Sequence, residues 1–105
     1  MYRKYRAKKT TIDGITFDSK KEAGRYIELK TLANFGKIKD LQLQVPIVLI
    51  EKSKFGRAIK YVSDFTYYDK DGNYIVEDVK GYKTPIYNLK KRMLAEKYNI
   101  IIKEI

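Results

Sequence analysis

Asp64 in Tyr61-Val62-Ser63-Asp64-Phe65 and the pair Asp78 and Lys80 in Ile75-Val76-Glu77-Asp78-Val79-Lys80-Gly81 stand in two segments rich in aromatic and β-branched residues. Side chains two apart on a strand share a face, so Asp78 and Lys80 point together while Glu77 and Val79 point the other way. Paired strands would bring Asp64 close enough to share an ion with Asp78. Two carboxylates completed by phosphate and water oxygens suit Mg²⁺, which takes only one or two protein carboxylates. A metal held there would acidify a bound water and neutralise phosphate charge, with Lys80 orienting the water or steadying the transition state. A β-bulge would exchange the two neighbouring acids, so the strand period favours Asp78 and leaves Glu77 as the alternate ligand.

The composition leaves little other chemistry. The 105 residues include no cysteine and no histidine, which excludes zinc sites of those ligands, Cys nucleophiles and Ser-His triads. The excess of 23 Lys and Arg over 13 Asp and Glu, a formal charge of +10, favours a polyanionic partner, nucleic acid first. No basic amphipathic segment or apolar run of spanning length points to a membrane. The basic start, Met1-Tyr2-Arg3-Lys4-Tyr5-Arg6, is followed by no apolar signal core, so a cytoplasmic location is expected. The length is that of one domain spanning 1–105.

The elements that must position these residues read as follows. Residues 1–9 form a basic, tyrosine-bearing arm. Thr10 to Phe17 predicts two short strands around Asp13-Gly14. Ser19-Lys20-Lys21-Glu22 matches a capping box for a helix from about Ser19 to Phe35, with Gly36 as the stop. Glu22, Tyr26, Leu29 and Ala33 fall on one face of that helix, flanked by Ala23 and Ile27, which aims Glu22 inward. Strands follow at Leu41–Ile50, Ala58–Tyr68 and Tyr74–Lys80, a three-stranded antiparallel meander whose Pro46 suggests an edge or a bulge. Thr84-Pro85 opens a second helix with apolar positions at Ile86, Leu89, Met93, Leu94 and Tyr98, and Ile100–Ile102 predicts a last short strand. The fold class is α/β: an αβββαβ core, a mixed sheet flanked by two helices, with an N-terminal β-hairpin.

Asp64 followed by Asp78-Val79-Lys80, between two helices in this order, resembles the PD-(D/E)XK nucleases, the superfamily of many restriction enzymes, junction resolvases and a transposon end-cleaving nuclease. The resemblance runs from about Lys9 to Ile105. Ile12 to Ala23 and Val76 to Gly81 are close to a small phage and prophage family within it. By that resemblance the fold is restriction-endonuclease-like, Asp64 and Asp78 are metal ligands for Mg²⁺ or Mn²⁺, Glu22 is a third active-site acid, and Lys80 is the catalytic lysine. It further implies a DNA endonuclease acting on branched or Holliday-junction DNA, encoded by a phage, working in the bacterial host cytoplasm and paired with a second copy of itself as a homodimer. Ser63 stands where the superfamily's name puts proline. A glutamine near the site is also implied, and Gln44 is the candidate.

Other residues carry weaker signals. Arg3, Lys4, Arg6, Lys8 and Lys9, with Lys90, Lys91 and Arg92, form basic clusters suited to phosphate contact, and Lys90 lies one turn beyond Ile86. Asp69-x-Asp71-x-Asn73 imitates the start of a calcium loop, but Tyr74 stands at the position needing glycine and Lys80 at the one needing glutamate, so it reads as a turn. Two readings compete with a junction nuclease: a restriction-like or transposon-end nuclease targeted by a partner, and a non-catalytic nucleic-acid-binding protein.

Overall fold

A computed structural model describes residues 9–80 and 82–105. The expected phosphate contacts at Arg3, Lys4, Arg6 and Lys8, and the Gly81 of the second motif, lie outside them. The chain runs β1 (Thr10–Ile12), β2 (Ile15–Phe17), α1 (Lys20–Asn34), β3 (Ile38–Ile50), β4 (Ile59–Asp69), β5 (Tyr74–Asp78), α2 (Pro85–Tyr98) and β6 (Lys103–Glu104). β1 and β2 form a separate hairpin, while the main sheet has the order β3-β4-β5-β6, antiparallel except for the β5–β6 pair. This is an α/β fold with an αβββαβ core, two helices and a mixed sheet. No helix among the described residues is long and apolar enough to cross a membrane.

Local chemistry explains the turns. Asp13 and Gly14 both adopt positive φ (53° and 75°), the pairing that a two-residue hairpin loop requires. Tyr26 donates to Asp13 Oδ2 at 3.0 Å, fastening that hairpin to α1. Ser19 Oγ accepts the Glu22 N–H at 3.1 Å and Gly36, at φ 74°, ends the helix with Phe35 as its cap. The Asp69 carboxylate accepts the N–H groups of Asp71 and Asn73, each at 2.9 Å, so this segment is the expected turn.

Two apolar clusters hold the layers together. Phe17, Ala23, Tyr26, Leu29, Ile38, Phe65 and Tyr67 pack around α1, and Leu49, Tyr61, Val76, Tyr87, Leu94 and Ile102 around α2. β5 alternates between them, Ile75 toward the first and Val76 in the second. The long β3–β4 hairpin behaves differently. Its odd-numbered residues serve the α1 cluster at Leu41, Leu43, Phe65 and Tyr67 but the α2 cluster at Ile47, Leu49 and Tyr61. The changeover falls where the ladder skips from Leu43↔Phe65 to Val45↔Ser63, beside Gln44 at φ 53° and the fully buried Ser63.

Several expectations need correction. β3 begins at Ile38 rather than Leu41, because Ile38 is buried and pairs with Asp69 across a register shift near the left-handed Asp40. β5 stops at Asp78, short of Lys80. The last strand is Lys103–Glu104, not Ile100–Ile102: the left-handed cap at Asn99 re-aims the chain, and Ile102 is spent in the α2 cluster before pairing starts. α2 buries Tyr87 and Leu94, whereas Ile86, Leu89 and Tyr98 face solvent, and Ile27 on α1 is exposed as well. Pro46 does lie on an edge strand, where its missing N–H costs no ladder bond within the sheet.

Candidate active site

Asp78 is the hub of a polar cluster at the end of β5. Its side chain is 1 % exposed, and it accepts from three directions: Asp64 N–H on Oδ1 at 3.3 Å, and on Oδ2 the Tyr61 hydroxyl and, at 2.9 Å, Lys80 Nζ. Asp64 lies beside it on β4. Asp64 Oδ2 accepts the Val79 N–H at 2.8 Å and Oδ1 faces Gln44 Nε2 at 3.4 Å. The two strands are therefore stitched through the acids where the regular ladder has ended at Phe65↔Glu77. Lys80 reaches Asp78 although it lies beyond the strand, and its ammonium stands 4.4 Å from the Tyr87 ring centroid.

The electrostatics are those of a site short of positive charge. Burial first, then contact with the Asp78 carboxylate, pushes the Asp64 carboxyl up to about 7, against the lowering effect of the Val79 N–H. Glu22, on the first turn of α1 and 7 % exposed, is raised by its burial and then by the charges of Asp18 and Asp78, with Lys80 pulling the other way. Burial and the hydrogen bond to Asp78 raise the Tyr61 phenol, keeping it a donor. Tyr87 is raised by burial, by its 2.6 Å bond to Glu104 and more weakly by Asp78 and Asp64. The structure thus gathers Glu22, Asp64, Asp78, Lys80 and Gln44, and adds two residues sequence reasoning missed, Tyr61 and Tyr87. Tyr61 carried one usable signal, since it opens the Tyr61-Val62-Ser63-Asp64-Phe65 segment itself.

Glu77 belongs elsewhere. It is wholly buried on the α1 side, where Arg25 Nε and Nη2 donate to its two oxygens at 2.8 and 2.6 Å and Tyr67 donates a third bond. Lys103 Nζ stands 4.0 Å away. The alternation of β5 is unbroken across Val76, Glu77 and Asp78, so Asp78 is the acid beside Asp64.

The donor set fits a hard divalent cation. Among the described residues no three acids stand within reach of one metal position, so the set is the Asp64–Asp78 pair with Glu22 acting at longer range. Two carboxylates suffice for Mg²⁺. A buried and a half-buried acid of like charge, the latter already driven toward protonation, are the arrangement that an added cation relieves.

The basic candidates divide. Lys9 is exposed and Lys90 half-buried. Lys91 is engaged with Glu104 at 3.2 Å, together with Lys83 at 3.1 Å, and Arg92 with Glu96 at 3.0 Å. Glu104, held by Tyr87 first and then by those lysines, falls to about 2. Lys91 would have to leave Glu104 to meet a phosphate, whereas Arg92 bonds Glu96 on the open surface of α2 through Nε alone.

No curated protein and no solved structure matches the chain. Residues 2–104, a span that takes in every side chain of this cluster, match the family described as protein of unknown function (DUF1064), and the chain belongs to that family.

Proposed function

We propose that the protein is a metal-dependent DNA endonuclease of the PD-(D/E)XK type, hydrolysing phosphodiester bonds with Mg²⁺ or Mn²⁺. The observation that carries the reading is the convergence of Asp64 from β4, Asp78 from the end of β5 and Lys80 from just beyond it, with Glu22 from α1 close enough to feel the Asp78 and Lys80 charges. A cation bound by Asp64 and Asp78 supplies an acidified water and neutralises phosphate charge. Lys80, paired with Asp78 and resting on Tyr87, is placed to hold a phosphoryl oxygen or the attacking water. Tyr61 fixes the Asp78 rotamer from behind, and Gln44 does the same for Asp64. Glu22, raised by burial, is the third acid, available to hold a proton or a water.

The charge of +10 supports DNA as the polyanion. The resemblance to junction resolvases favours branched DNA such as a four-way junction, and a homodimer would place one site on each of two strands. A phage-encoded enzyme of this kind works in the cytoplasm of its bacterial host. One observation favours a second reading, nucleic-acid binding without cleavage: Lys80 already pairs with Asp78, and among the described residues no third acid reaches the two carboxylates.

The test is cleavage of matched linear, flap and four-way DNA in Mg²⁺, Mn²⁺ or EDTA. The parent cuts branched DNA only with metal, and Asp64→Asn, Asp78→Asn and Lys80→Ala each lose about 10²-fold or more. Salt-sensitive binding with no metal-dependent product selects the second reading. Equal cleavage of plain duplex at one sequence selects a targeted restriction-like enzyme.

A further inference from the structure

Beyond Asp64 the β3–β4 hairpin leaves the rest of the sheet. β5 pairs with β4 only from Phe65 to Tyr68, so among the described residues Ile59 to Ser63 pair with β3 alone. The stem is nevertheless braced, because α2 reaches across to it: Lys97 Nζ donates to Leu49 O at 2.8 Å and the Tyr98 hydroxyl to Val48 O at 2.5 Å. At the tip, Ser53 and Gly56 exchange both backbone bonds, at 3.0 and 3.2 Å, and Ser53 Oγ accepts the Phe55 N–H at 3.1 Å. Lys54 and Phe55 are thereby held at the two central positions of a closed turn.

Phe55 is 89 % exposed, with Lys54 Nζ 5.2 Å from its ring centroid. Lys52, Arg57 and Lys60 are exposed around it, and Glu51 is the single acid between residues 50 and 60. A turn needs no phenylalanine, and a ring held in water on a braced stem gains nothing for the fold. One cation against the ring and three more exposed on the same hairpin form the combination that nucleic acid rewards: phosphates meet the cations and an unstacked base meets the ring. Apolar side chains carried on such projections insert between base steps when the step is already weak.

We propose that the Phe55 turn is a DNA wedge, which inserts the ring at a nick, gap or branch where a base pair has lost one stacking neighbour. The inference rests on DNA as the partner and adds what the nuclease reading leaves open, the feature recognised. Phe55 and Asp64 are nine positions apart, so at about 3.4 Å per residue their Cα atoms lie within about 31 Å of each other. At about 3.4 Å per nucleotide of duplex, the displaced base is therefore roughly ten nucleotides or fewer from the bond cut.

The experiment uses full-length protein and DNA carrying 2-aminopurine beside a one-nucleotide gap, with an intact duplex of the same sequence, in EDTA and again in Ca²⁺. The parent binds the gapped DNA more tightly and raises 2-aminopurine fluorescence on it alone. Phe55→Ala loses the fluorescence rise and about tenfold of gapped-DNA affinity, whereas Phe55→Trp keeps both. Phe35→Ala removes another exposed ring, 75 % bare, beyond the opposite end of β3 and behaves as the parent. Lys52→Ala/Lys54→Ala/Arg57→Ala weakens both DNAs and flattens the salt dependence by up to about three phosphate contacts. A fluorescence rise that survives Phe55→Ala, or no preference for the gap in the parent, overturns the wedge. Unstacking without metal-dependent cleavage would leave the wedge standing and refute the nuclease, and cleavage without unstacking would do the reverse.

Discussion

Arg25→Leu tests whether the fold holds β5 in register through its non-catalytic acid. Glu77 has no exposed side-chain surface and Arg25 only 15 %, and the pair makes two short bonds. Removing one partner of a buried ion pair costs about 3–5 kcal/mol, because the survivor stays charged and dry. Here the Tyr67 hydroxyl remains bonded and Lys103 is near, which sets the expectation at the lower end, about 3 kcal/mol. With a urea slope of about 1.5 kcal/mol per molar, the midpoint falls by about 2 M. Arg25→Leu/Glu77→Leu removes both charges and orphans only the Tyr67 hydroxyl, a loss of about 1–2 kcal/mol. The double variant is thus expected to be more stable than Arg25→Leu alone. Urea melts followed by circular dichroism decide it. An Arg25→Leu midpoint within about 0.5 M of the parent, or a double variant as unstable as the two single changes summed, refutes the reasoning.

The double variant, set against Asp78→Asn, separates the two neighbouring acids functionally. At a temperature where circular dichroism reports a folded chain, Arg25→Leu/Glu77→Leu retains metal-dependent cleavage within about tenfold, while Asp78→Asn, in the intact register, loses about 10²-fold or more. Loss of cleavage in the folded double variant would make Glu77 the working acid.

Gln44→Val puts a β-branched residue at φ 53° and is expected to cost about 1–2 kcal/mol, whereas Gln44→Gly, suited to that backbone, stays within about 0.5 kcal/mol; equal thermal melts would disprove the left-handed conformation. Both variants lose the Asp64 contact and so lose cleavage together. Tyr61→Phe leaves Asp78 with one donor fewer in a buried setting and lowers stability by about 1–2 kcal/mol, read as a lower urea midpoint. Glu104 has its carboxyl depressed to about 2, so its bonds stabilise the fold fully above the ordinary carboxylate range and stop doing so as pH falls through about 2. The melting temperature of the parent should therefore exceed that of Glu104→Gln at pH 6 and converge with it by pH 2; a constant gap would contradict the assignment.

Hydrophobic period and capping chemistry made most of the fold legible. Ser19 with Glu22, Asp13-Gly14 and Thr84-Pro85 each signal a boundary by a local mechanism, and the structure uses all three. What stayed hidden depends on tertiary partners. α2 carries apolar residues on more than one side, and only contact with Leu49, Tyr61 and Val76 selects Tyr87 and Leu94 over Ile86 and Leu89. Ile100–Ile102 reads as a strand by composition, yet pairing requires a position opposite Glu77 and Asp78, which the chain reaches only at Lys103 and Glu104. Lys80 was placed beside Asp78 by a period that ends before it; what brings it there is charge, since Asp78 and the Tyr87 ring both attract its ammonium. Phe55 gave no periodic signal because it packs on nothing.

The changeover in the β3–β4 hairpin links these facts to the cluster of acids. A strand that kept one side throughout would carry Tyr61 under α1 with Phe65 and Tyr67, away from the face that β5 offers through Val76 and Asp78. Because the side changes between Phe65 and Tyr61, a residue of the wrong parity reaches Asp78, and Asp64 is left at the point where the ladder is open. An open ladder frees backbone groups: the Asp64 N–H turns to Asp78 and the Val79 N–H to Asp64, so the acids take bonds that a regular sheet would have used. Ser63 suits this position because it is small enough to be fully buried and its hydroxyl bonds Val45 O at 3.3 Å. The irregularity is where strand logic fails, and it is also what supplies the donors that hold the buried Asp78 and half-buried Asp64 carboxylates side by side.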